Sequence, residues 1–268
     1  MSLIVVKVGG RALEQNIDSI LESIGSRVSK GLRFVLVHGG GDTVTRYEKI
    51  MGVQPRFVIS PQGIRSRYTD ERELEVYVMV MAGRINKDIV AKLNKMKVKA
   101  IGLTGVDGGF IKAERKKKIV IIDENNRKKI IPGGYTGMIK EVEGGLISNF
   151  IDYGYLPVIA PIALGEEGEM LNVDADQVSA KIAESIKADK LVVLTDVDGV
   201  IVDGKIIKNI RACDVEVIQS KIGYGMNRKV LMCAKAVQSG VGEAVISSGL
   251  IQDPLMVLEE DLGTKITL

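Results

Sequence analysis

The chain has 268 residues, 46% of them hydrophobic, which is enough to bury a large core as one sizeable domain or as two lobes. Its formal net charge of +3 is too small to mark a nucleic-acid binder, and no apolar run reaches the length of a membrane span. A single histidine, His38, excludes catalysis by a histidine pair and any multi-histidine metal site. The start shows no signal-peptide pattern, and two cysteines outside any ligand spacing suit a reducing compartment, so a cytoplasmic protein is expected.

The stretch LIVVKV, Leu3 to Val8, predicts a central strand of a parallel sheet, because its β-branched residues run without polar alternation. A lysine is costly inside such a strand, so Lys7 is expected at its carboxyl end, facing a ligand crevice. Gly9 and Gly10 then let the backbone approach that ligand. The plainer reading is a surface lysine before an ordinary turn. A helical stretch over 16–30 leads to the strand RFVLVH, which runs into Gly39, Gly40 and Gly41 at the head of another helix. Two glycine runs after neighbouring strands supply free N–H groups for anionic oxygens.

A long helical pattern over 69–93 precedes the strand VKAIGLT. KIVIIDENNRKKIIP predicts a β-hairpin, two apolar runs around a polar turn at 124–127. A helix over 145–153, the strand PVIAPIAL and the turn GEEGE follow. That turn divides the chain into expected lobes of 1–165 and 166–268. The second half reads as the helix DADQVSAKIAESIKA, the strand KLVVLTDV, the hairpin VIVDGKII, a helix over 228–239, the strand EAVISS and a closing strand over 264–268. Such alternation with short loops predicts an α/β fold, a three-layer α/β/α sandwich with a mainly parallel central sheet. GVIVDGKI nearly fits the phosphate-loop pattern GxxxxGK[ST], but Ile206 stands where a hydroxyl is needed. Asp203–Gly204 between apolar runs is hairpin chemistry.

Polar residues gather at the ends of these strands. Asn172, Asp174 and Asp176 crowd the turn NVDADQ before a helix; Asp174 reads as its cap, and the density of polar groups also suits a site. Thr195, Asp196, Asp198 and Gly199 follow another apolar strand. Lys229 comes after Gly223-Tyr224-Gly225-Met226, where a solvated helix lysine is the alternative.

Taken in order, KVGG, HGGG, SRYTD, GVDGG, NVDADQ, LTDVDGV, GMNRKV and GTKI resemble the amino acid kinase superfamily, in its acetylglutamate kinase-like branch. The resemblance implies phosphorylation of a carboxylate by ATP, with Mg²⁺ carried by the nucleotide phosphates and no metal ligand from the protein. It implies that Lys7 and Lys229 flank the transferring phosphoryl group and that Asp176 holds them. Gly9, Gly10, Thr195, Asp196, Asp198, Gly199, Tyr224 and Met226 would hold the nucleotide. Gly40, Gly41, Asn172 and one arginine, Arg67 or Arg65 according to register, would bind the amino-acid substrate.

SRYTD resembles the kinases of that branch that act on glutamate or 2-aminoadipate attached to LysW, a small acidic amino-group carrier protein. Charge placement points the same way. Residues 112–129 hold eight basic side chains (Lys112, Arg115, Lys116, Lys117, Lys118, Arg127, Lys128 and Lys129) against three acidic ones. A basic hairpin near 112–132 would gain association rate with an acidic carrier. A solvated hairpin blunted with lysine against edge pairing is the alternative. Two further readings stay open: a kinase of free N-acetylglutamate, and a non-catalytic nucleotide sensor. The resemblance also implies a homodimer.

Overall fold

The computed structural model describes residues 2–61, 63, 65–219 and 221–268; the Tyr224 side chain also lies outside the description. An eight-stranded sheet forms the middle layer. In spatial order its strands are Asn209–Arg211, Thr264–Thr267, Glu243–Ser248, Lys190–Thr195, Leu3–Val8, Arg33–His38, Leu156–Ala160 and Ala100–Thr104. Every neighbouring pair runs parallel except Glu243–Ser248 with Thr264–Thr267. Helices cover both faces, so the α/β/α sandwich is the observed fold. No helix among the described residues is long and apolar enough to cross a membrane.

The period of two in the strands decides which side chain meets which helix layer. Ile4, Val6 and Val8 join Leu36, Val158, Val192 and Leu194 in one core, against the helix Gly10–Ser29 and the helical run that starts at Glu71. Val5 joins Val35, Val37, Ile159, Leu191 and Val193 in the other core, together with Val178, Ile182, Val230 and Cys233 from the helices Ala175–Ser185 and Tyr224–Gln238. Lys7 shares the face of Val5, so the pleat aims it at the layer that carries Asp176 and Lys229. Both cores draw residues from either side of Gly165, which lies at the tip of a hairpin in a separate four-stranded sheet.

Several boundaries differ from expectation. The first helix begins at Gly10 rather than at 16; Asn16 departs from helical geometry and donates to the carbonyls of Gly249 (2.9 Å) and Ile251 (2.8 Å). The helix expected over 228–239 starts four residues earlier, at Tyr224. The long helical pattern holds as Glu71–Val78 and Asn86–Lys95, joined by a wider π-type turn, Met79–Ile85, and it opens on a capping box between Asp70 and Glu73.

PVIAPIAL is two strands. Leu156–Ala160 lies in the large sheet and Ile162–Gly165 in the four-stranded one. Pro161 has no N–H to continue a ladder, and the chain changes sheets there. The basic hairpin pairs Lys118–Ile122 with Lys128–Pro132, but Lys112 and Arg115 sit outside it, on the strand Ile111–Arg115 of the four-stranded sheet. A short hairpin, Phe57–Ile59 with Arg65–Arg67, was not read from the sequence. Val58 and Tyr68 beside it pack on Ile131, Ile119 and Ile121 of the basic hairpin.

Candidate active site

Two cavities open along the carboxyl edge of the large sheet and share Gly41 in their walls. One, of about 520 Å³, is lined by Lys7, Gly9, Gly10, Thr195, Asp196, Met226 and Lys229. The other, of about 540 Å³, is lined by Gly40, Arg65, Arg67, Asn172, Lys116 and Arg228 among others.

At the first of these, a single carboxylate ties two ammonium groups. Asp174 caps the helix Ala175–Ser185 by accepting from Gln177 N (2.9 Å), which places Asp176 in the first turn. Asp176 Oδ1 lies 2.7 Å from Lys7 Nζ, and its Oδ2 accepts from Lys229 Nζ at 2.9 Å. Lys7 and Asp176 are buried. Burial alone would raise the carboxyl pKa of Asp176, but the two ammonium groups reverse that and hold it well below the usual carboxylate range. Burial draws Lys7 below its ordinary value against the pull of Asp176. At Lys229 burial acts in the same sense, yet Asp176 outweighs it and the pKa is raised. Two cations held a short distance apart beside a cavity form a clamp for a dianionic group.

The glycine loops supply the rest of an anion cradle. A β-carbon on Gly10 would sit 3.4 Å from Gly40 N and 3.6 Å from Gly41 N, so the two loops meet backbone to backbone. Gly40 has φ +148°, and a side chain there would also run into Ile85. Each of these touching loops leads into the first turn of a helix, Gly10–Ser29 or Gly41–Ile50, where free N–H groups can meet phosphate oxygens.

His38 lies fully buried under the second loop. Asn86 Nδ2 donates to Val158 O (2.9 Å) and faces His38 Nε2 at 3.3 Å, so Nε2 accepts and Nδ1 carries the proton. Nδ1 donates to Gly39 O at 2.9 Å, fixing the first peptide of the loop. Burial lowers the His38 pKa to about 4, and the ring is neutral.

In the second cavity the strand Arg65–Arg67 sends both arginines to one side, where they flank the Phe57 ring at 3.6 Å (Arg65) and 4.9 Å (Arg67). Arg67 is anchored: it pairs with the buried Glu48 and donates to Gly41 O at 2.9 Å. Burial raises the Glu48 pKa against the opposing Arg67 charge. Arg65 is exposed and has no ion pair among the described residues. Asn172 donates to Thr69 Oγ1 at 2.8 Å.

The structure thus gathers most of the residues singled out from the sequence. It does not bring Asp198 and Gly199 to either cavity: Asp198 is exposed, and Gly199 packs against Thr264. The role expected of the Tyr224 side chain lies outside the described residues. Arg127, Lys128 and Lys129 stay on the outer hairpin, and Lys112 pairs with Glu141 at 3.1 Å. Arg115 lies over the Tyr135 ring at 3.9 Å and donates to Gly134 O at 2.7 Å. Two arginines were missed. Arg11 reaches Asp196 at 2.7 Å on the wall of the first cavity, and Arg228 reaches Asp174 at 3.3 Å in the second. Adjacency to Gly10 and to Lys229 was the only signal either offered.

This fold, with lysines bridged by a carboxylate beside two glycine loops, defines a phosphotransferase class, and the comparisons with known proteins agree. The chain belongs to the amino acid kinase family, which it matches over residues 2–248. It is 49% identical over 265 residues to a [LysW]-aminoadipate/[LysW]-glutamate kinase of Sulfurisphaera tokodaii, covering 98% of this chain and 100% of that protein. A Sulfolobus acidocaldarius protein of the same name is 44% identical over 265 residues, again with 98% and 100% covered. Among solved structures, a Streptococcus mutans UA159 protein superposes with a TM-score of 0.79 at 26% identity, covering 99% of this chain and 98% of that one.

Proposed function

We propose that this chain phosphorylates the side-chain carboxylate of glutamate or 2-aminoadipate attached to an acidic carrier protein, with ATP as donor. The observation that carries the reading is the Lys7–Asp176–Lys229 bridge at the edge where the two cavities meet. Support for the acceptor comes from the full-length relatives, both named for LysW-linked substrates.

The acceptor carboxylate is ionised at neutral pH, so the reaction needs no protein base. Its oxygen forms the new bond to the γ-phosphorus while the bond to the bridging β,γ-oxygen breaks, giving an acyl phosphate and ADP with no proton abstracted. Catalysis then rests on alignment and charge. Lys7 and Lys229 meet the charge spread over the transferring group, and Asp176 keeps their spacing. The N–H groups of Gly9 and Gly10 hold nucleotide phosphates; those of Gly40 and Gly41 hold oxygens nearer the acceptor. Thr195, Asp196 and Met226 shape the nucleotide side, where Mg²⁺ bound to the phosphates would supply further neutralisation. Arg65, which has no ion pair among the described residues, takes the free α-carboxylate, Arg67, set by Glu48, adds its charge beside it, and Asn172 lines the same cavity. On this reading 1–165 chiefly serves the acceptor and 166–268 the nucleotide, and the basic hairpin meets the carrier. The protein would work in the cytoplasm as a homodimer.

The test is ATP turnover with N-acetylglutamate, carrier-linked glutamate and carrier-linked aminoadipate side by side, trapping the acyl phosphate with hydroxylamine. Turnover with a carrier-linked acceptor is expected. Turnover confined to free N-acetylglutamate would overturn the carrier reading.

A further inference from the structure

The charges of the acceptor-side cavity do not balance. Four cationic side chains line it: Arg65, Arg67, Lys116 and Arg228. Arg67 is neutralised by the buried Glu48, and Arg228 by Asp174 at 3.3 Å. Arg65 and Lys116 have no carboxylate within ion-pair distance among the described residues. The cavity therefore keeps two positive charges without partners, apart from the phosphoryl lysines, which line the other cavity.

Lys116 reaches the cavity for a local reason. It follows the strand Ile111–Arg115, and its N–H bonds Thr136 O at 2.9 Å, so the chain is still held to the four-stranded sheet at this point. The outer hairpin begins two residues later, at Lys118. Although the residue as a whole is exposed, partial burial of its charged end and the Arg228 charge lower its pKa, with Asp174 opposing. Lys116, Arg228 and Asp174 line the same cavity, and the one carboxylate offsets only one of the two cations. Arg228 directly precedes Lys229 on the helix Tyr224–Gln238, so this second cationic pair is registered to the transfer centre.

We infer that Lys116 and Arg228 form a second anion subsite of the acceptor cavity, which takes a carboxylate that is neither phosphorylated nor held by Arg65 and Arg67. The inference rests on that cavity being the acceptor side. It narrows the acceptor's chemistry: an N-acyl amino diacid whose acyl group itself carries a carboxylate, as an acidic chain end would. A simple N-acetyl amino diacid offers one spare carboxylate and leaves Lys116 unpaired. This takes Lys116 out of the outer docking patch and makes it a specificity determinant inside the cavity.

The experiment compares two synthetic acceptors that differ by that one group, N-acetyl- and N-succinyl-2-aminoadipate. Binding to the full chain is measured by titration calorimetry, and KM for each is measured with ATP. The wild type should bind the succinyl compound about tenfold more tightly, the worth of one charge-assisted contact in a partly solvated cavity. Lys116→Met should bring the ratio near one, and Lys116→Arg should restore it. A wild-type ratio of one, or a ratio unchanged in Lys116→Met, overturns the subsite. Equal loss of AMP-PNP affinity in Lys116→Met would overturn it too, by assigning the lysine to the nucleotide. If the wild type makes no acyl phosphate from any acceptor, the proposed function fails, while the calorimetric ratio, which needs no turnover, still decides the subsite.

Discussion

The buried histidine gives the sharpest quantitative test of the site's scaffold. His38 is fully buried and neutral, with its pKa lowered from 6.5 to about 4, chiefly by burial. The unfolded chain therefore takes up a proton near pH 6.5 that the folded chain refuses until about pH 4. A depressed folded-state pKa contributes stability that is complete above 6.5 and is lost as the pH falls toward 4. The full difference of about 2.5 pH units corresponds to about 3 kcal/mol, of which about 2 kcal/mol is gone by pH 5. The perturbation is His38→Asn, whose amide can still donate toward Gly39 O from nearly the place of Nδ1 but does not titrate. Urea unfolding of both proteins at pH 7, 6 and 5 gives a stability difference, wild type minus variant. That difference should fall by about 2 kcal/mol across the range. A difference that stays flat, or rises on acidification, would refute the neutral ring. A matching rise in the ATP or acceptor KM of His38→Leu, with little loss for His38→Asn, would show that the Gly39 contact orients the cradle.

Two other outcomes follow from the geometry. Lys7→Met and Lys229→Met should each lower kcat by about 10²- to 10³-fold, as expected when one preorganised donor to the transition state is removed; single-turnover rates within tenfold of wild type in both would remove them from the transfer step. Reversing Lys117, Lys118, Lys128 and Lys129 to Glu should raise KM for a carrier-linked acceptor several-fold at low salt, less at high salt, and leave KM for ATP unaltered. A salt-independent or absent effect would return the hairpin to a lysine-blunted edge.

Much of the architecture was legible because the strands are apolar enough to leave no competing reading. LIVVKV, RFVLVH, KLVVLTDV and EAVISS each became a strand of the large sheet. Of the site's central trio only Lys7, a charge at the end of an apolar strand, was legible from its own surroundings; Asp176 and Lys229 were assigned to it by the family resemblance alone. What escaped reading lacked a local signal. The helices at Gly10 and Tyr224 begin on glycine-rich loops without a capping side chain, so hydrophobic period alone placed their starts too late. The strand Arg65–Arg67 is three polar residues paired to three others, and it is held by distant contacts, Arg67 to Glu48 and Gly41 and Val58 to the basic hairpin. Asp198 shared the TDVDG motif with Asp196, and nothing in the local sequence separates the residue that faces a cavity from the one that faces away. Arg228 looked like a surface charge because its partner, Asp174, lies far off in the chain.

The first two strands leave the sheet in register, Val8 beside His38, and the loop that follows each one starts at the same level. The two glycine loops are therefore neighbours on one hydrogen-bonded ladder, where strands sit about 4.8 Å apart. On the proposed reading, the spacing between the loop that holds the nucleotide and the loop that holds the acceptor is set by backbone pairing, which no side-chain substitution can stretch. The hairpins proposed to meet the acceptor hang elsewhere, as Phe57–Ile59 with Arg65–Arg67 and Lys118–Ile122 with Lys128–Pro132. If those roles hold, a lineage with this plan is free to change what it phosphorylates while the stroke of the reaction stays the same.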